Sequence, residues 1–180
     1  MIRRRELLGA ALGLLLSPAS VFARAGASRR LALTPDTESA LATSPTVYIS
    51  PLRADGEEST CHGEVWYGWL DGAVVINTRA TTWKARSLGR GLDRARVWVG
   101  DYGRWKRAPA RNEAFRAGPS FDTRAEVVKD ARLLDRLLAL YDDKYPDEIG
   151  KWRDPMRQGY ADGSRLLIRY RPEPASSART

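Results

Sequence analysis

The residues best suited to chemistry lie in the run Ala73-Val74-Val75-Ile76-Asn77-Thr78-Arg79-Ala80-Thr81-Thr82-Trp83-Lys84-Ala85-Arg86-Ser87-Leu88. An apolar strand ends at Asn77-Thr78, a short turn follows, and hydroxyl residues open a helix carrying Lys84 and Arg86. Unpaired amides and the positive end of the peptide dipoles draw anions to a helix start. Hydroxyls at Thr78, Thr81 and Thr82, with Lys84 one turn in, can cradle a phosphate. Arg79 and Arg86 can neutralise its charge, a task that suits the guanidinium fork. The same pattern also serves an ordinary solvated helix with a hydroxyl cap, and the run alone does not separate the two.

His62 is the sole histidine and adjoins the sole cysteine, Cys61. General-base work near neutral pH favours histidine, so a Cys–His or Ser–His–Asp arrangement has to use His62. Adjacent strand residues point to opposite faces, which places Cys61 and His62 badly as a nucleophile–base pair. His62 can instead sit as a surface group where a strand begins. One Cys and one His cannot build a Cys/His zinc site or an intrachain disulfide, so no metal site is expected. No catalytic residue is assigned. Trp66 and Tyr67 lie in an alternating stretch that also holds Trp69, so one face can stack on a planar ring while the other fills a core. Trp66 or Tyr67 is the expected ring contact, and the remaining tryptophans are expected in the core or at an interface.

The elements that must position these groups are mostly strands. Thr34-Pro35 predicts a helix start, with a short helix to about Ala42. Thr46–Ser50 reads as a strand, Arg53-Ala54-Asp55-Gly56 as a turn, and Glu64–Leu70 as a second strand. Asp71-Gly72 makes a tight turn into Ala73–Thr78. Thr81–Gly91 reads as a helix closed by Gly91. Arg96–Gly100 and Gly103–Arg107 predict a hairpin, and Phe115–Phe121 a short strand. Thr123-Arg124-Ala125-Glu126 has the form of a capping box. It opens a helix with Val127, Ala131, Leu134, Leu138, Tyr141 and Tyr145 on one face, stopped by Pro146. Ser164–Arg171 is the last strand, with Leu166, Ile168 and Tyr170 on one side. About six strands in consecutive hairpins, with two or three peripheral helices, predict a mainly β (α+β) antiparallel barrel.

The order of these elements resembles the split-barrel flavin-binding superfamily. It runs strand, Asp-Gly turn, strand with Trp-Tyr, Asp-Gly turn, strand ending in threonine, helix with Lys-x-Arg-x-Leu, then Arg-Val-Trp-Val-Gly. That group holds the pyridoxamine 5′-phosphate oxidases and related enzymes using flavin or the deazaflavin F420. The late run Tyr141-Asp142-Asp143-Lys144-Tyr145-Pro146 also resembles the helix before that family's closing strand. The resemblance covers about Pro45 to Pro172. It implies a split antiparallel barrel, a homodimer, and FMN or F420 at the dimer interface exchanging a hydride or electrons with a small organic substrate. It places the cofactor phosphate at Thr78, Arg79, Thr82 and Lys84, with Trp83, Arg86, Trp66 and Tyr67 beside it. The chain departs from the family where Gly91-Leu92-Asp93-Arg94-Ala95-Arg96-Val97 lacks a proline, and in Ser59-Thr60-Cys61-His62-Gly63. A haem-binding relative using His62, or a cofactor-free binding module, are the alternatives.

The chain of 180 residues has a formal net charge of +8, with 43% apolar and 29% charged residues, which excludes a disordered or collagen-like protein. One domain is expected. Three arginines, an apolar run from Leu7 to Leu16 and the exit Ala23-Arg24-Ala25 form a secretory signal over residues 1–25. Its paired arginines before Leu-Leu resemble a twin-arginine signal, which implies export to the periplasm through that machinery. Without Arg3, Arg4, Arg5, Arg24 and Glu6 the chain keeps 26 basic and 21 acidic residues, a charge of +5 spread in mixed sign. Nucleic-acid proteins concentrate their basic residues on a face, so no nucleic-acid partner is expected. Residues 26–44 are expected to form a lead with a short helix, 45–172 the barrel, and 173–180 a flexible tail.

Overall fold

The computed structural model describes residues 33–105 and 112–174. The signal segment 1–25, Lys106 and Arg107 of the predicted hairpin, and most of the tail lie outside the described residues. The described elements are α1 (Pro35–Thr43), β1 (Val47–Pro51), β2 (Gly63–Val65), β3 (Gly68–Leu70), β4 (Ala73–Arg79), α2 (Trp83–Leu88), β5 (Arg94–Val99), a 3-10 turn (Ala114–Ala117), β6 (Ser120–Val128), α3 (Ala131–Lys144), α4 (Pro146–Ile149), α5 (Arg153–Ala161) and β7 (Arg165–Pro172). The seven strands form one antiparallel sheet in the order β2-β1-β5-β6-β7-β4-β3.

The two edges of this sheet, β2 and β3, are neighbours in the chain with only Trp66 and Tyr67 between them. The predicted strand Glu64–Leu70 is therefore an extended segment shared by both edges. Its first half pairs with β1 through Val47↔Val65, and its second half with β4 through Gly68↔Val75. The sheet curls until its ends meet at this two-residue seam, where the strands part. Backbone groups buried there need other partners. The end of α3 supplies them: the Tyr67 N–H donates to the Tyr145 hydroxyl at 3.2 Å, and the Tyr141 hydroxyl donates to the Trp66 carbonyl at 3.0 Å. The Lys144 ammonium reaches the Tyr67 carbonyl at 3.5 Å.

Strand alternation sorts the two cores. Val47, Ile49, Val74, Ile76, Val97, Val99, Ile168 and Tyr170 face the barrel interior. Val75 and Leu167 face outward, under Leu133, Leu134, Leu137, Leu138 and Tyr141 of α3. The predicted Asp71-Gly72 turn has φ of 53° and 70° at its two central residues, the left-handed pair that a two-residue hairpin needs. Thr34 caps α1 as expected, accepting from the Thr37 N–H.

Three predicted elements are corrected. Thr123–Glu126 is not a capping box but part of β6, because its side chains have better partners across the sheet. The Thr123 hydroxyl donates to the Ala95 carbonyl at 2.8 Å, and Glu126 pairs with Arg169 and Arg171. Val127 is consequently an exposed strand residue, and α3 is capped by Asp130, whose carboxylate accepts from the Leu133 N–H at 3.0 Å. Phe115 lies in the 3-10 turn, stacked on Tyr48 at 4.8 Å, and only Ser120 onward joins the sheet. Gly103–Trp105 pairs with no strand; β5 lies between β1 and β6 instead. Two further helices, α4 and α5, carry too few apolar residues to stand out in the sequence. Asp130→Ala is expected to cost about 1 kcal/mol through the lost cap. Glu126→Gln, which alters only its two surface ion pairs with Arg169 and Arg171, should cost less than about 1 kcal/mol. Urea denaturation of the two variants checks the reassignment, since a capping box predicts comparable losses.

Candidate functional site

Helix α2 is six residues long, shorter than the Thr81–Gly91 span read from the sequence. Gly91, at φ 77°, ends the segment as expected. So short a helix has little dipole. Its capping residue Thr82 makes no side-chain bond to the helix amides and donates to the Arg79 carbonyl at 2.9 Å. The anion-attracting element here is a side chain rather than the helix start. Thr78 and Thr82 do meet, with hydroxyl oxygens 3.2 Å apart, closing the strand–helix turn.

Lys84 is the unusual group. It is only 7% exposed, its ammonium lies 4.6 Å from the Trp83 ring centroid, and no acidic residue among the described residues pairs with it. Burial alone pulls its pKa down to about 8, with no carboxylate to hold the charge. A buried cation without a partner is costly, and is retained where something else supplies the counter-charge. The Lys84 Nζ and the Trp83 ring both press on the Cα side of Gly63, where a side chain would meet Nζ at 2.9 Å. Gly63 is in turn on the wall of a cleft of about 440 Å³ lined also by His62, Glu64, Val65, Trp66, Arg104 and Trp105. Lys84 therefore backs the edge strand that borders this cleft.

The other predicted residues divide. Arg79 and Arg86 are exposed, Arg79 at the end of β4 and Arg86 in the last turn of α2. Trp66 lies on the cleft, its ring stacked on Tyr145 at 4.2 Å and 8°. Tyr67 is 0% exposed, its hydroxyl donating to the Leu41 and Ser44 carbonyls at 2.8 and 3.1 Å, with the Lys144 ammonium 3.5 Å from its ring centroid. Of the expected pair, Trp66 lines the cleft and Tyr67 is enclosed in the barrel.

His62 is buried rather than a surface group. Its Nδ1 is 2.6 Å from the Ser50 hydroxyl and its Nε2 is 3.4 Å from the Arg116 guanidinium. A guanidinium only donates, so Nε2 accepts and Nδ1 carries the proton toward Ser50. Ser50 is fully buried, which keeps substrate from its oxygen, and Cys61 is exposed. The Arg116 guanidinium also pairs with Glu58 at 2.9 Å, which holds Arg96 at 3.3 Å. This network was not legible in the sequence, because its members are up to 58 residues apart.

No protein-family model matches the sequence, and no curated protein matches it. Solved structures do. The chain is similar to HutZ, the heme storage protein from Vibrio cholerae, with a TM-score of 0.53 and 16% identity over 79% of this chain and 92% of that one. The fold is a split barrel. It is also similar to the conserved protein Rv2991 from Mycobacterium tuberculosis, with a TM-score of 0.52 and 20% identity over 81% and 84% of the two chains. An FAD-binding protein from Mesorhizobium loti aligns over 79% and 91% of the two chains at 14% identity and a TM-score of 0.49. In this split barrel the seam at Trp66–Tyr67, the Lys84 ammonium and the cleft share one edge, β2.

Proposed function

We propose that this split barrel binds a flavin-type cofactor, FMN or F420, and acts as an oxidoreductase on a small organic substrate. The observation that carries this reading is the buried ammonium of Lys84, without an acidic partner among the described residues, behind the edge strand of a cleft bordered by Trp66. In this reading Lys84 supplies the charge a phosphate neutralises, the Thr78 and Thr82 hydroxyls stand at the same turn, and Trp66, which lines the cleft, offers an aromatic wall to a planar ring. When bound, the flavin would supply hydride or electron transfer, while the chain binds it, orients it and excludes water. By the family resemblance the chain also acts as a homodimer, and the twin-arginine-like signal of residues 1–25 exports it to the periplasm. Light scattering and cell fractionation test those two points.

The deciding experiment is an absorption spectrum of the purified protein, with mass spectrometry of any released small molecule and titration with FMN, F420 and haem. A flavin or deazaflavin near one per chain supports the proposal. Binding of haem alone, with a Soret band lost in His62→Ala, supports the haem alternative; that requires His62 to leave Ser50 and Arg116. Failure to bind any of the three overturns the redox reading and leaves a cofactor-free binding module.

A further inference from the structure

Beside the cofactor cleft, and sharing Val65, Trp66 and Arg104 with it, lies a second cleft of about 320 Å³. Its apolar walls are Trp66, Trp152 on the turn before α5, and Met156 on α5; its polar groups are Asn77 from β4 and Arg165 from β7. Arg104 and Glu148 complete the lining, so it holds two guanidiniums against one carboxylate.

Arg165 is half-buried and pairs with no acidic residue among those described. Among the described residues its side chain makes one hydrogen bond, a donation from Nη1 to the Asn77 side-chain oxygen at 3.2 Å. Its register partner on β4 is Arg79, a like charge. Burial and that neighbour both hold its pKa below the ordinary arginine range. The contact also fixes Asn77: because a guanidinium only donates, the amide oxygen must face Arg165, and the amide nitrogen points away. That nitrogen is buried with no hydrogen-bond partner. Such groups are rare in native proteins and mark places where a partner belongs. The arginine stem runs under α5, and Gly159 makes room for it: a Cβ there would meet the Arg165 Cγ at 2.7 Å.

We infer that this second cleft binds a small planar molecule bearing a carboxylate. The carboxylate pairs with Arg165 and accepts from the Asn77 amide, and the flat apolar body lies between Trp66, Trp152 and Met156. A carboxylate matches the guanidinium fork and supplies the acceptor that the amide nitrogen lacks. Two indoles and a thioether favour a flat, polarisable body. Binding needs no cofactor. Only the further step, that such a molecule is the redox substrate beside the flavin, rests on the function proposed above.

The test is calorimetric titration of the full chain with 2-naphthoate and with its uncharged isostere 2-naphthamide. The acid is expected to bind about 10- to 100-fold more tightly than the amide, the ratio for a charge-assisted hydrogen bond worth about 1.5–3 kcal/mol. Arg165→Gln should abolish that preference while leaving FMN affinity unchanged, and Lys84→Met should do the reverse. Gly159→Ala, which displaces the arginine stem, should also weaken the acid. Equal affinity of the wild-type protein for acid and amide overturns the inference, as does an acid preference that survives in a folded Arg165→Gln. Because the first comparison uses only the wild-type chain, it decides even if a variant fails to fold. Failure of the wild-type chain to bind FMN, with its acid preference intact, would sink the cofactor reading alone.

Discussion

Replacing Lys84 with methionine is expected to stabilise the cofactor-free protein and to abolish cofactor retention. The two effects have one cause. Taking the ammonium out of water lowers its pKa from 10.5 to about 8, which corresponds to a cost of about 3 kcal/mol while the charge is kept. Methionine has similar length and no charge, so removing that cost should raise Tm by several degrees, at about 2–4 °C per kcal/mol for a chain of this size. The phosphate then loses its counter-charge, and FMN should bind at least about 10-fold more weakly. If Lys84 were an ordinary surface residue, neither quantity would move.

The same cost has a pH signature. Lys84 and Lys144 both have pKa values pulled down to about 8 by burial, against an ordinary 10.5. Between those values the unfolded chain holds protons that the folded chain has released, so stability rises with pH from about 8. The buried Tyr67, Tyr145 and Tyr170 have pKa values raised above 10.0, so their ionisation in the unfolded chain removes stability above about pH 10. Urea midpoints should therefore climb from pH 8 toward 10 and then fall. In Lys84→Met the climb should shrink, and saturating FMN should flatten it in the wild type by keeping Lys84 charged. A flat profile in cofactor-free wild-type protein would contradict the buried charge.

Tyr67→Ala is the second large effect, an expected loss of about 3–5 kcal/mol, because the ring is wholly buried among Leu41, Val74 and the other interior residues. Tyr67→Phe isolates the hydroxyl, which ties the barrel to the end of α1 through the Leu41 and Ser44 carbonyls. Its loss should cost about 1–3 kcal/mol with FMN affinity unchanged. Trp66→Ala should do the opposite, weakening FMN more than it weakens the fold. Thermal unfolding with and without FMN separates the four combinations. A Tyr67→Phe protein of normal stability and reduced FMN affinity would return Tyr67 to the cofactor.

How much of this was legible in the sequence follows from the range of the interactions. Alternation in Ser164–Arg171, the apolar strand Ala73–Thr78, the Asp71-Gly72 turn and the Thr34 cap are local: each depends on neighbours within a few residues, and each is found to within a residue or so. The order of elements was enough to anticipate the split barrel. Where a local pattern met a competing long-range partner, the partner won. The Thr123–Glu126 box gave way to Ala95, Arg169 and Arg171, because strand pairing satisfies backbone and side chains together. One apolar run, Glu64–Leu70, does not say that it serves two edges; that depended on Tyr141, Lys144 and Tyr145 arriving from α3 to hold the seam. The sequence by itself determined the strands β1, β4, β5 and β7, the Asp71-Gly72 turn and a lysine placed among hydroxyls. Only the tertiary structure buried that lysine, enclosed Tyr67, engaged His62 and brought Arg165 to Asn77 across 88 residues, because burial and charge pairing depend on what the folded chain brings near, not on what precedes a residue in the chain.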